Sequence, residues 1–265
     1  MSPTRLCTAL VATTLLAVAL GGCAATPPSP DDEVARATDL ATRLATGARS
    51  DAEKARDAGR RPAAVLTFLG IGEGMHVLDV LASGGYYSEV LAEAVGPEGR
   101  VYAHNVEFVL KMRDGVNDAA MTARLAGGRL PNVVRLDAEF DALGLEPARL
   151  DAALTALNIH DLIDGRGEDV AHAVLLVLRD ALKPGGILGV IDHAGLPGED
   201  AANEKLHRID EARVVAALER AGFVIEATSD VLRNPDDDRT QLVFAPGLRC
   251  TTDRFVIRAR KPQEG

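Results

Sequence analysis

Between His76 and Lys261 the chain alternates short, dense apolar runs with longer stretches whose apolar residues return every three or four positions. The short runs predict strands and the longer ones predict helices. HVLDV (76–80) predicts a strand, YYSEVLAEAV (86–95) a helix stopped by Gly96 and Pro97, and RVYAHN (100–105) a second strand. A long helical stretch follows, through Met121 and Leu125. NVVRLDA (132–138) and LDAALTALN (150–158) predict the third and fourth strands. GEDVAHAVLLVLRDAL (167–182) predicts a helix that ends at a KPGG turn, and GILGVIDH (186–193) a fifth strand. DEARVVAALERAGF (210–223) predicts a helix capped by Asp210 and ended by Gly222. FVIEATSD (223–230) and DRFVIRARK (253–261) predict two last strands with no helix between them.

Strands that alternate with helices, several of them continuous apolar runs, imply an α/β fold: a Rossmann-like, seven-stranded, mostly parallel sheet with helices on both faces. The last two strands predict an antiparallel C-terminal hairpin at one edge. Upstream, residues 34–69 carry a helical pattern. Ser50 and Glu53 have capping-box spacing, and Pro62 suits the first turn of the helix holding Val65, Leu66 and Leu69.

The first residues follow another pattern. Arg5 precedes an apolar run from Leu6 to Leu20, and small residues follow. This reads as a secretory leader, residues 1–22, because the run is shorter than the roughly 20 residues of a spanning helix. LGGC (20–23) resembles the bacterial lipobox, which implies a diacylated Cys23 as the mature N-terminus. Ala24 after it resembles outer-membrane sorting, so the expected location is an exported lipoprotein on the outer membrane, facing the periplasm. The Pro-rich, acidic stretch of residues 23–33 reads as a lipid-anchored tether.

Composition narrows the partners. The 265 residues carry a net charge of −10, no tryptophan and no basic patch, so no nucleic-acid partner is expected. With Cys7 in the leader and Cys23 lipidated, Cys250 is left alone, and no intramolecular disulfide can form.

Residues 70–262 resemble a class I S-adenosylmethionine-dependent methyltransferase. The resemblance rests on GMHVLDVLASGGYYSEVLA (74–92), VVRLDAEF (133–140), LKPGGILGVIDH (182–193) and LERAGF (218–223). More narrowly, NIHD (158–161), IDH (191–193), LHRID (206–210) and LRNPDDDRT (232–240) resemble a group of bacterial predicted methyltransferases. The resemblance implies S-adenosylmethionine as cofactor and a small-molecule substrate. By position, Asp79 matches the acid at the end of the first strand, and Ser83, Gly84 and Gly85 match the glycine-rich turn. Leu81 departs from that pattern where it has glycine. Asn105 stands where the family places a ribose-binding acid, with Glu107 nearby, and Asp137 matches the acid that meets the adenine amino group.

A second set of residues is read from chemistry. His160, Asp161, Asp192 and His193 end the fourth and fifth strands, and His207, Arg208 and Asp210 precede the next helix. Strand ends of a parallel sheet open on one cleft. A His beside a carboxylate suits a general base, with His160 or His193 as the base and Asp161 or Asp192 orienting it. The same set suits a divalent metal of the zinc, manganese or iron type, or a hydrogen-bonded network tying loops together; no metal ligand is assigned. The aspartates of LRNPDDDRT are expected to face solvent. Two functions remain: methyl transfer to a small molecule, or an exported lipoprotein that keeps the fold as a non-catalytic binding or structural module. A Ser hydrolase is disfavoured because no Gly-x-Ser-x-Gly elbow is present.

Overall fold

The computed structural model describes residues 29–248 and 250–263. The leader, Cys23 and the tether up to Pro28 lie outside the described residues. Among the described residues, seven strands form one sheet: β1 (His76–Val80), β2 (Arg100–Asn105), β3 (Val133–Asp137), β4 (Leu150–Ala156), β5 (Leu182–His193), β6 (Val224–Ser229) and β7 (Arg254–Arg260). Their order is β3-β2-β1-β4-β5-β7-β6. The pairs from β3 through β5 are parallel, and β7 runs antiparallel to both β5 and β6. The expected mixed sheet with its antiparallel C-terminal hairpin at one edge is therefore present; β7 lies against β5 and β6 forms the edge. KPGG, expected as a turn, is part of β5, accommodated by a register irregularity opposite β4 between Leu150 and Ala152.

Among the described residues, eight α-helices accompany the sheet: α1 (Pro30–Thr46), α2 (Asp51–Arg60), α3 (Pro62–Leu69), α4 (Tyr86–Val95), α5 (Glu107–Leu125), α6 (Glu168–Ala181), α7 (Asp200–Lys205) and α8 (Glu211–Arg220). The tether expected to reach residue 33 gives way to helix at Pro30. Ser29 caps α1 in a reciprocal box with Asp32, and three acidic residues in the first turn suit the helix dipole. The Ser50 cap of α2 and the Asp210 cap of α8 also form.

Alternate strand residues feed two cores. Val77, Val101, Leu154, Ile191 and Val256 pack under α1, α3 and α4. Leu78, Val80, Leu188, Phe255 and Ile257 pack under α6 and α8. Leu40 and Leu44 of α1 lie in the first core, so the N-terminal helices share a core with the sheet. Val65, Leu66 and Leu69 of α3 are fully buried there. Each such side chain stabilises the fold by about 1.5–3 kcal/mol through burial.

The long helix after β2 is not continuous. Met112 to Gly115 leave helical geometry, with Arg113, Asp114 and Gly115 left-handed, so α5 is two segments joined by a bend. Glycine tolerates this conformation and aspartate tolerates it better than most residues. The bend leaves Phe108 and Met112 exposed beside the strand ends.

Candidate functional site

Strand order reverses between β1 and β4, where open α/β sheets hold their ligands beyond the carboxyl ends of the strands. A cleft of about 750 Å³ lies there. Its floor includes Leu81 and Ser83 after β1, Val106 after β2 and Asn158 after β4. Phe108, Val109 and Met112 of α5 make one wall, and Leu162, Arg166, Val170 and Val174 the other. Glu139 and Phe140, beyond β3, close one side, and Asp161, His207 and Phe244 the opposite one. An apolar cleft with a few convergent polar groups has the character of a small-molecule site, and this one falls in their usual size range.

The turn from β1 to α4 keeps a glycine-type backbone without all its glycines. Leu81, Ser83 and Gly85 have φ of 54°, 52° and 82°. For Leu81 and Ser83 this left-handed conformation costs about 1–2 kcal/mol each. It is held by Ala82 N–H donating to the His104 carbonyl (2.8 Å) and Gly85 N–H to the Ala82 carbonyl (2.8 Å). The Leu81 side chain joins the core under α6 while also lining the cleft. Gly85 has a second reason to be glycine: a Cβ there would meet Arg124 Cδ at 2.9 Å and Met121 Cε at 3.0 Å, both on α5.

The residues matched to the methyltransferase pattern are spread around this turn, and only Ser83 among them lines the cleft. Asn105 is fully buried, and its amide pairs with the Ser83 backbone: Ser83 N–H donates to Oδ1 (2.8 Å) and Nδ2 donates to the Ser83 carbonyl (3.1 Å). Its donor and acceptor thus close the turn onto β2. Asp79 lies buried beneath α4, where Ser88 Oγ donates to it at 2.6 Å. Burial pushes the Asp79 carboxyl up to about 7, against the pull of Ser88, Arg60 and Arg124. Asp137 pairs with Arg135 Nε at 2.6 Å on the outer strand. Glu139 stands in the cleft two residues further on, with Oε1 accepting from the Glu107 N–H at 3.1 Å.

The His and Asp set converges at the other side of the cleft. Asp192, fully buried at the end of β5, accepts from the His160 N–H (3.0 Å) and the His193 N–H (2.7 Å) and lies 2.8 Å from His160 Nδ1. Burial alone would lower the His160 pKa; the Asp192 carboxylate, with Asp161 and Asp164, outweighs it and raises it to about 9. Burial likewise opposes the charge on Asp192, but His160 and His193 hold its carboxyl below the usual range. His193 turns away to Thr252 Oγ1 (2.8 Å), and burial holds it near neutral form, with a pKa of about 3. His160 Nε2 faces Asp161 Oδ1 and His207 Nδ1, each at 3.4 Å. Asp161 and His207 line the cleft, whereas His160, Asp192 and His193 stand behind them.

Sequence reasoning missed the apolar and cationic lining: Phe108, Met112, Arg166 and Phe244. Of the three aspartates expected to face solvent, Asp236 and Asp238 do, whereas Asp237 is buried and takes both Nη1 (2.9 Å) and Nη2 (3.0 Å) of the fully buried Arg208. This joins LHRID to LRNPDDDRT and carries Phe244 to the His207 ring, 5.1 Å away between centroids.

No protein-family model matches the chain, and a search of curated proteins finds no match. Solved structures do share its fold. An S-adenosylmethionine-dependent methyltransferase from Aquifex aeolicus is 24% identical over 76% of this chain and 89% of its own, with a TM-score of 0.56. The 1,6-didemethyltoxoflavin-N1-methyltransferase of Burkholderia thailandensis, solved with bound 1,6-didemethyltoxoflavin and S-adenosylhomocysteine, is 19% identical over 90% of this chain and 93% of its own, with a TM-score of 0.53. The 4+2 cyclase SpnF is 18% identical over 87% of this chain and 96% of its own, with a TM-score of 0.59. The chain therefore has the methyltransferase fold, and the cyclase shows that this fold alone does not set the reaction.

Proposed function

We propose that the protein binds S-adenosylmethionine in the cleft between β1 and β4 and transfers its methyl group to a small molecule. The supporting observation is the turn after β1, which keeps left-handed backbone at Leu81, Ser83 and Gly85 at the edge of a roomy cleft at the switch point. Strain retained beside a ligand cleft points to function. The cofactor supplies an electrophilic methyl group; the chain supplies positioning and a proton acceptor. Ser83 and Asn158 offer polar contacts on the floor, and Glu139 offers a carboxylate in the cleft. Apolar side chains of α5 and α6 line the path of an in-line displacement. The Asp161 and His207 side is where an acceptor's proton finds an acceptor.

Binding is expected to be weak. The Asn105 amide is committed to the turn, and Asp137 to Arg135, so fewer charge-assisted bonds reach a nucleoside. Calorimetric titration of the protein with S-adenosylmethionine should give a Kd in the micromolar range or weaker, about −8 kcal/mol. Leu81→Gly removes a side chain from the cleft and suits the backbone, so it should tighten binding by about tenfold, or 1.4 kcal/mol. It should also lower stability by about 2 kcal/mol, because lost burial outweighs relieved strain. Absence of heat with both proteins would contradict the proposal. An Asn105→Asp change, which the family pattern favours, is expected to harm the turn, since a carboxylate would face the Ser83 carbonyl.

The closed Asn105–Ser83 pair favours a second reading, a binding module without turnover, for which S-adenosylhomocysteine would not accumulate with any acceptor. Both readings accommodate a lipid anchor at Cys23, supported by the leader pattern and LGGC. Labelled palmitate should enter the wild type and be lost in Cys23→Ser; a soluble, unlabelled wild type would contradict the anchor.

A further inference from the structure

We propose that His160, Asp161 and His207 bind one divalent cation of the zinc class, with its remaining position open to the cleft. The ion and the proton-accepting role are alternatives for Asp161 and His207, since a lone pair given to a cation cannot also take a proton, and the cation site stands on its own geometry. His160 Nε2, Asp161 Oδ1 and His207 Nδ1 form a nearly equilateral triangle, with sides of 3.4, 3.5 and 3.4 Å. Ligand atoms bound at about 2.1 Å to a tetrahedral zinc ion lie about 3.4 Å apart. An octahedral magnesium ion at the same bond length would place neighbouring ligands about 3.0 Å apart and draws on oxygen donors. Two imidazoles and one carboxylate suit zinc, cobalt, manganese or iron.

The surroundings fit a ligand set. His160 has its other ring nitrogen, Nδ1, 2.8 Å from Asp192 Oδ1, the carboxylate–histidine arrangement that orients metal-bound imidazoles. Asp192 is in turn fixed by the backbone amides of His160 and His193. Asp161 opens a single π-helical turn (Asp161–Gly165), a rare form that recurs at functional sites. His207 is held in left-handed backbone, φ 53°, with its ring against Phe244. Among the described residues, these three form the one group of His, Cys, Asp or Glu whose ligand atoms are close enough to share an ion. Since Asp161 and His207 line the cleft, the fourth position faces a bound small molecule, where it would take water or an anionic oxygen or sulfur donor.

Cobalt(II) provides the direct probe. The full chain, treated with chelator and titrated with Co²⁺, should take up one ion and develop the intense visible d–d absorption of a tetrahedral site. Zn²⁺ should abolish the absorption, and Mg²⁺ at the same concentration should not. Asp192→Asn should weaken Co²⁺ by about 10–100-fold through its loss of hold on His160. His207→Gly should weaken it further; glycine accepts the backbone conformation, so an unchanged melting temperature separates ligand loss from unfolding. His76→Ala, at the opposite end of β1, should bind as the wild type does. Absence of stoichiometric uptake, or unchanged affinity in His207→Gly, would leave a hydrogen-bonded cluster and overturn the site. Weak absorption of octahedral type would overturn the zinc-class assignment.

Discussion

Asp237→Ala is expected to lower stability by about 3–5 kcal/mol, or Tm by about 6–20 °C. Arg208 is fully buried, and its guanidinium makes two parallel bonds to Asp237, besides reaching the carbonyls of Ala194 and Gln241. Asp237 also accepts from the backbone amides of Asp253 and Arg239. Removing the carboxylate strands a buried cation and two amides together. Removing both partners should cost less than the sum of the single changes, because no charge is then left unpaired. Thermal melts of Asp237→Ala, Arg208→Met and the double variant test this; additive losses would contradict the coupling. The pair fixes the loop that sets Phe244 against His207, so the single variants should also loosen that side of the cleft.

Asp79→Asn is expected to leave stability unchanged below about pH 4 and to raise it at pH 8 by about 4 kcal/mol. The folded-state pKa of Asp79 is raised from 3.8 to about 7, with burial the first cause. The folded chain then holds this proton where the unfolded chain has released it. The contribution of the protonated group is full below about pH 4 and is lost as pH rises to about 7. Asparagine keeps the bond to Ser88 and has no charge to bury. The wild type should therefore lose Tm relative to the variant between pH 5 and pH 8. A variant less stable than wild type at pH 8 would show instead that Arg60 and Arg124 hold Asp79 as a carboxylate.

The architecture was legible because local pattern and burial agree. HVLDV, YYSEVLAEAV and RVYAHN form β1, α4 and β2 with the boundaries read from the sequence. In each, period and punctuation point the same way: HVLDV runs toward Gly84 and Gly85, YYSEVLAEAV stops at Gly96 and Pro97, and RVYAHN starts directly after Gly99. Three features were not legible, each for a non-local reason. β7 lies between β5 and β6 because sheet neighbours are chosen by tertiary packing, which alternation along one strand does not encode. The bend in α5 arises at Met112–Gly115 inside a run with helical periodicity, where one glycine is a weak signal. The left-handed Leu81 and Ser83 keep a conformation their side chains disfavour, so the departure at Leu81 hid a backbone that retains the glycine-type turn. Within the candidate site, proximity of His160, Asp161, Asp192 and His207 followed from strand ends sharing one edge. Which of them reach the cleft did not follow, because this depends on the direction of each side chain across its strand or turn.

Mapping of backbone amide shifts on adding S-adenosylhomocysteine tests the central claim most directly. The account predicts saturable changes at Ser83, Gly84, Gly85, Val106 and Phe140, around the ends of β1, β2 and β3, with His76 and Arg100 at the opposite sheet end unmoved. Absence of saturable shifts, or shifts confined to the opposite end, would contradict a cofactor site between β1 and β4.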